Sequence, residues 1–205
     1  MQTEGKVITV GVTGASGAVL AQTMLRLLVA DQRVTKVHLV VTEAGLRLLS
    51  TELGIVAQEP KRLPALLTGT DARKIEYFPN KDVGAAIASG SYPVDAMVVI
   101  PCSVGTLASI ACGTSEDLLA RAADVCLKEG RRLILCVRET PLNRIHLENM
   151  LRAQAAGAVV MPVMLSFYHG PKTIEDLVTQ FVYRVLGQMG LPQGNQYRWS
   201  GKPEK

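Results

Sequence analysis

Aromatic residues make up only 4% of this sequence and its basic residues are dispersed, so no basic face interleaved with stacking rings marks a nucleic-acid surface. The four cysteines (Cys102, Cys112, Cys126, Cys136) contain no CxxC pair and no metal-ligand spacing with the three histidines. That excludes a structural zinc site and leaves small buried hydrophobes in a reducing compartment. Long apolar runs are missing as well. The longest, near Ala155 to Tyr168, is broken by Gly157 and Pro162, and no basic segment followed by an apolar stretch opens the chain. The expectation is a soluble, cytoplasmic protein with no membrane span. No internal repeat is evident, and no Gly-Lys-Ser/Thr follows a glycine loop, which excludes a Walker A site.

What is present is a patterned α/β chain. With 205 residues and 48% hydrophobic content it can bury one full core, expected over 1–190 with a tail at 191–205. A net charge of +4 suits anionic ligands. Apolar runs at 6–12, 36–41, 96–100, 133–137 and 158–161 read as strands. Helical patterns at 18–29, 106–111, 117–128, 144–156 and 173–186 alternate with them, the last opened by a Thr173-x-x-Asp176 capping box. This βαβα order predicts a single-domain, three-layer αβα sandwich around a doubly wound parallel sheet. Residues 51–80 read as an irregular insertion with one short strand at 74–78. The tail from Pro192, including Trp199, reads as draped over a neighbour or mobile.

Ligands of such sheets bind outside the carboxyl ends of the strands. The first strand runs into Gly11-Val-Thr-Gly14-Ala15-Ser16-Gly17 and then a helix, a loop that lets backbone approach a phosphate and offers free helix amides. Thr42 and Glu43 end the second strand. Glu43 could hold a ribose in a dinucleotide site, while the Thr42 hydroxyl suits a mononucleotide equally. A reductase-like Tyr77-x-x-x-Lys81 is spoiled by Pro79 between its members. The next loop, Pro101-Cys102-Ser103-Val104-Gly105-Thr106, offers hydroxyls and amides without charge. Cys102 as a nucleophile has no neighbouring histidine. Arg138 and Glu139 follow the buried run 133–137 and read either as a site or as a salt-bridged loop.

Together these pieces resemble the UbiX-type flavin prenyltransferases. The resemblance is carried by TGASG (13–17), VVTEA (40–44), ASGSYPVDAMVVIPCSVGTLASIACG (88–113), LLARAADVCLKEGRRLILCVRETPLNRIHLENM (118–150), GAVVMP (157–162), FYHGPKTIEDLV (167–178) and RVLGQMG (184–190). It implies a flavodoxin/Rossmann-like fold that binds reduced FMN and joins it, without metal, to the dimethylallyl group of dimethylallyl monophosphate at N5 and C6. The prenylated FMN would be delivered to a UbiD-type decarboxylase. By the same resemblance Gly14, Ala15, Ser16, Thr42, Ser103, Val104, Gly105, Thr106 and Arg138 bind FMN. Val83, Ser89, Gly90, Arg121, Lys128, Glu139, Tyr168 and Arg184 contact the prenyl phosphate, with Ser16, Lys128 and Glu139 catalytic, in a homododecamer whose sites lie between subunits.

Elementary chemistry agrees with that assignment. Cleaving an allylic C–O bond leaves growing negative charge on phosphate, so cations must converge there. Val83 departs from the tryptophan that many relatives carry at its position, which removes a π face from the prenyl group. His146 and His169 have no evident partner, although His169 adjoins Tyr168. A cysteine-decarboxylase-type flavoprotein would need a histidine just before the fourth strand, where residues 88–93 have none. A non-catalytic flavin-binding subunit would not need Lys128, Glu139, Tyr168 and Arg184. Apolar faces on the helices around 118–127 and 147–156 are the expected oligomer contacts.

Overall fold

Aliphatic and β-branched residues fill six strand segments, and in the computed structural model these pair into one parallel sheet. The structure describes residues 5–56, 60–70, 72–199 and 201. The strands are β1 (Lys6–Val12), β2 (Val34–Val41), β3 (Ile75–Pro79), β4 (Ala96–Cys102), β5 (Arg132–Val137) and β6 (Val159–Val160), in spatial order β3-β2-β1-β4-β5-β6. This is the doubly wound order of dinucleotide-binding folds, whose direction reverses between β1 and β4. Every expected strand is present.

Alternation along each strand feeds two cores. Ile8, Val10 and Val12 of β1, with Val98 and Ile100 of β4, pack under α1 (Ala18–Ala30) and α7 (Ile174–Gln188). Met97 and Val99 of β4, with Leu133 and Leu135 of β5, pack under α4 (Val104–Cys112) and α5 (Leu118–Lys128). Helix α6 (Arg144–Ala155) lies against α4 on that second face. The capping box at Thr173 and Asp176 forms as expected.

Two helices lie where the sequence pattern assigns none: α2 (Glu43–Leu53), mostly ahead of the expected irregular insertion, and α3 (Leu63–Thr68) within it. Both carry stop and start signals. The Thr42 hydroxyl accepts from the Gly45 amide to cap α2, and Gly54 and Gly69 end the two helices in the left-handed conformation. Leu49, Leu63 and Leu67 are fully buried, and that packing overrides the weak local periodicity. The described part of the tail makes contacts with its own α7 and with the α1–β2 turn. A second correction concerns α5, whose apolar residues pack into its own core; of the two helices expected to offer oligomer contacts, α6 keeps a spare apolar face.

His38 of β2 is fully buried between Phe78 and Tyr92, with Nε2 3.1 Å from the Tyr92 hydroxyl. Burial, aided by the Lys36 charge and opposed by Glu76, pushes its pKa down to about 4. The folded protein therefore holds a neutral ring where the unfolded chain takes up a proton. Stability is expected to fall as pH drops from about 6.5 toward 4, by a limit on the order of 3 kcal/mol for a shift of this size. Urea midpoints at pH 7 and pH 5 should diverge for the parent and converge for His38→Asn. Equal pH slopes for the two proteins would refute this.

Candidate active site

The switch point is pinned by one hydroxyl. Thr13, fully buried at the end of β1, donates to the Pro101 carbonyl and accepts from the Ser103 amide, both at 2.8 Å, so the loops after β1 and β4 move as one. Ser103 caps α4 by accepting from the Thr106 amide at 3.3 Å, and its hydroxyl also donates to Thr106 Oγ1 at 3.1 Å. A cleft of about 330 Å³ opens here, lined by Gly14, Thr42, Ala44, Ser103, Gly105 and Thr106 among others. At Gly14 a Cβ would sit 2.5 Å from the Ala44 methyl, so only glycine lets this loop approach the start of α2.

The amides at the start of α1 are not an open phosphate cradle, as the sequence suggests. Glu52, from the last turn of α2, already occupies them, accepting from the Gly17 amide at 3.0 Å and the Ala18 amide at 2.8 Å. A carboxylate satisfies these free amides and the helix dipole as a phosphate would. Burial opposes its ionisation, but hydrogen bonds from Ser16, Ala18 and Gly17, with the nearby Arg138 charge, outweigh that and hold its pKa below the usual value. Ser16 and Arg138, at the ends of β1 and β5, thus both favour the Glu52 carboxylate. The helix end left open to an anion is that of α4.

Glu52 is the functional candidate missed by sequence reasoning. Thr42 and Gly54 signal the helix that carries it, but nothing local says that its carboxylate returns to a loop 35 positions earlier.

A second cluster surrounds the segment after β3. Asn80 ties it to α5, donating to Asp117 and accepting from the Leu119 amide. Arg121 donates to the Ala88 carbonyl at 3.3 Å, and Arg131 donates to the Gly90 and Tyr92 carbonyls at 2.6 and 2.8 Å. Lys128 is paired with Glu129, and both abut the bare Cα of Gly90, where a side chain would collide with them. The structure so brings together Ser89, Gly90, Arg121 and Lys128. Val83 stands half-exposed in the turn before this segment.

The remaining candidates, Glu139, Tyr168 and Arg184, line two other clefts. Arg138 and Glu139 line a cleft of about 270 Å³ with Leu142, Met150 and Met164, and the Glu139 carboxylate accepts from the Thr140 amide at 2.9 Å. Tyr168 and Arg184 meet in a third cleft of about 430 Å³, with Ser166, His169, Gln180, Tyr197 and Trp199. Trp199 is therefore a second residue that the sequence reading left unassigned. Cys102 is fully buried and burial pushes its thiol up to about 12, so it stays protonated and is no nucleophile. Tyr77 stands on β3, not on a helix facing Lys81.

Comparison with known proteins identifies the family. The flavoprotein family matches residues 1–186. The flavin prenyltransferase UbiX of Halalkalibacterium halodurans is 44% identical over 193 residues, covering 94% of this chain and 93% of its own. That of Pseudomonas aeruginosa is 43% identical over 196 residues, with coverages of 94% and 93%. A crystal structure of AnUbiX (PadA1) in complex with FMN and dimethylallyl pyrophosphate superposes with TM-score 0.85 at 39% identity, covering 97% of this chain and 100% of that one. A dodecameric FMN-dependent UbiX-like decarboxylase from Escherichia coli O157:H7 gives 0.85 at 42% identity, with coverages of 95% and 100%. On these matches, the chain belongs to the flavoprotein family and, within it, to the UbiX flavin prenyltransferases.

Proposed function

We propose that this protein transfers the dimethylallyl group of a dimethylallyl phosphate to N5 and C6 of reduced FMN, releases phosphate, and supplies the prenylated flavin to a UbiD-type decarboxylase. The observation that carries this reading is the hydroxyl-rich cleft between the loops after β1 and β4, with Asp117 as a charged member of its lining and the Glu52 carboxylate held on the neighbouring Gly17 and Ala18 amides. That cleft fits a flavin mononucleotide. The start of α4 offers free amides and the Ser103 and Thr106 hydroxyls for a phosphate, and the missing Cβ of Gly14 leaves room for a ring system. When bound reduced, the flavin supplies the nucleophilic nitrogen and carbon of the reaction.

The chain's own residues divide the remaining work. Ser103, Val104, Gly105 and Thr106 hold the flavin phosphate, while Thr42, Gly14, Ala15, Ser16 and Arg138 orient the rest. Ser16 and Glu52 form a relay that takes up the proton lost as the new C–N bond forms, since Glu52 is held as a carboxylate. Lys128 and Arg121 on the Ser89–Gly90 segment, with Arg184 and the Tyr168 hydroxyl, neutralise the departing phosphate, Arg bidentately. Glu139 is a second proton acceptor beside Arg138. Val83 offers the prenyl chain aliphatic packing only.

The protein acts as a homo-oligomer in this reading, most simply the dodecamer of its relative. Ile145, Leu147 and Leu151 of α6 and Met164 and Phe167 after β6 are each more than half exposed, an apolar set that a second copy would cover. No described helix is long and apolar enough to cross a membrane. Incubation with reduced FMN and dimethylallyl monophosphate should yield a flavin one C5 unit heavier by mass. A flavin that binds but keeps its mass with both mono- and diphosphate donors would replace the transferase reading with a storage role.

A further inference from the structure

The carboxyl-terminal segment is fastened to its own chain at two places. Arg33 donates to the Pro192 carbonyl at 3.2 Å, and Gln193 donates to the Asp31 carboxylate at 3.3 Å. Asp31 and Arg33 are themselves paired at 2.6 Å. The Arg33 hydrogen bond in particular holds the Asp31 carboxyl down at about 2, so this first anchor persists across the working pH range. The second anchor is Gln180 of α7. Its Nε2 donates to the Asn195 carbonyl at 3.2 Å and its Oε1 accepts from the Tyr197 amide at 2.9 Å. One side-chain amide thus serves as a peptide unit and fixes the backbone on both sides of Gln196.

That grip decides where two aromatic rings go. Gln180 and Arg184 are four residues apart on one face of α7, and both line the 430 Å³ cleft. Beyond the grip, Trp199 lies edge-on to Tyr168 with ring centroids 6.2 Å apart, and Tyr197 stands 6.2 Å from His169. Docking in this position is not free of cost. Both ring nitrogens of His169 are shut off from water without a hydrogen-bond partner, which the anchoring bonds must offset.

We propose that Gln180 is a positioning residue for the prenyl donor, clamping residues 195–197 so that Tyr197 and Trp199 wall the cleft lined by Tyr168 and Arg184. The proposal rests on the functional reading above, and Gln180 itself touches no reacting atom. Its action is on donor binding, not on the flavin or the chemical step.

Trp199 is the only tryptophan in the sequence, so its fluorescence reports the position of the segment directly. Gln180→Leu preserves size and helix propensity while removing both bonds; Gln180→Glu keeps the acceptor and loses the donor. The leucine variant is expected to raise the KM for dimethylallyl monophosphate about tenfold with kcat within about twofold, as loss of two modest hydrogen bonds implies. Flavin affinity should stay at the parent value, Trp199 anisotropy should fall, and acrylamide quenching should rise. Gln180→Glu should lie between parent and Gln180→Leu in both readouts. A leucine variant with parental KM and parental Trp199 anisotropy would overturn the proposal, as would a variant whose flavin affinity and melting temperature fall along with donor binding. The fluorescence arm needs no turnover: if the parent makes no prenylated flavin, the functional reading fails while anisotropy still decides whether Gln180 holds the segment.

Discussion

Glu52→Gln should slow prenyl-flavin formation by about two orders of magnitude or more, the range for losing a positioned acid or base, while flavin stays bound. Glutamine keeps an oxygen that can accept from the Gly17 and Ala18 amides, so the loop geometry is retained. What is lost is the charge beside Ser16 and Arg138. Removing an anion from the start of α1 also costs about 0.3–1 kcal/mol of helix-dipole stabilisation, small against the catalytic loss. Because the folded pKa of Glu52 is depressed, its contribution to stability is complete above the ordinary carboxylate pKa and disappears as pH falls through the folded value. The relay therefore stays competent throughout the neutral range and fails only in acid. Single-turnover mass spectrometry with a flavin titration separates the two effects. A glutamine variant as fast as the parent would remove Glu52 from the chemistry and leave it a helix cap.

The contrast between Glu52 and the glycine loop shows what a sequence can reveal about such a site. Strand ends are legible because buried strands are continuous apolar runs and the polar residues that stop them stand out: Thr13 after β1, Ser103 after β4 and Arg138 after β5. The helix caps at Ser103 and Thr173 are equally local, each a hydroxyl with its partner amide three residues on. Glu52 is not legible in this way. Its role arises when α2 folds back on the first loop, and a carboxylate in the last turn of an amphipathic helix looks like any solvated charge until then. The same holds for Gln180 and Trp199, whose partners lie 15 to 31 positions away across the end of the fold. Short helices such as α3 fall between, since Gly69 marks the end but six residues are too few to show a period.

Mixing two inactive proteins, Glu52→Gln and Arg184→Ala, should restore about a quarter of the parental activity if each site draws on two copies. The reason lies in how the cations are distributed. Arg184 and Tyr168 line a cleft that includes neither Ser16 nor Arg138, while the hydroxyl-lined cleft at the start of α4 includes neither Tyr168 nor Arg184. The two clefts share no lining residue, so in the proposed reaction a second copy is expected to bring the phosphate-binding cations to the flavin. In that reading the exposed apolar residues of α6, with Met164 and Phe167, are the surface that the second copy buries. In a fully exchanged equal mixture, half the sites take Glu52 from an Arg184→Ala subunit, and half of those take Arg184 from a Glu52→Gln subunit. That product is the expected quarter. Subunit exchange is verified by mixing isotopically labelled and unlabelled chains before the assay. Complete exchange with no recovered activity, or a fully active monomer by light scattering, would mean that one chain assembles the whole site by itself.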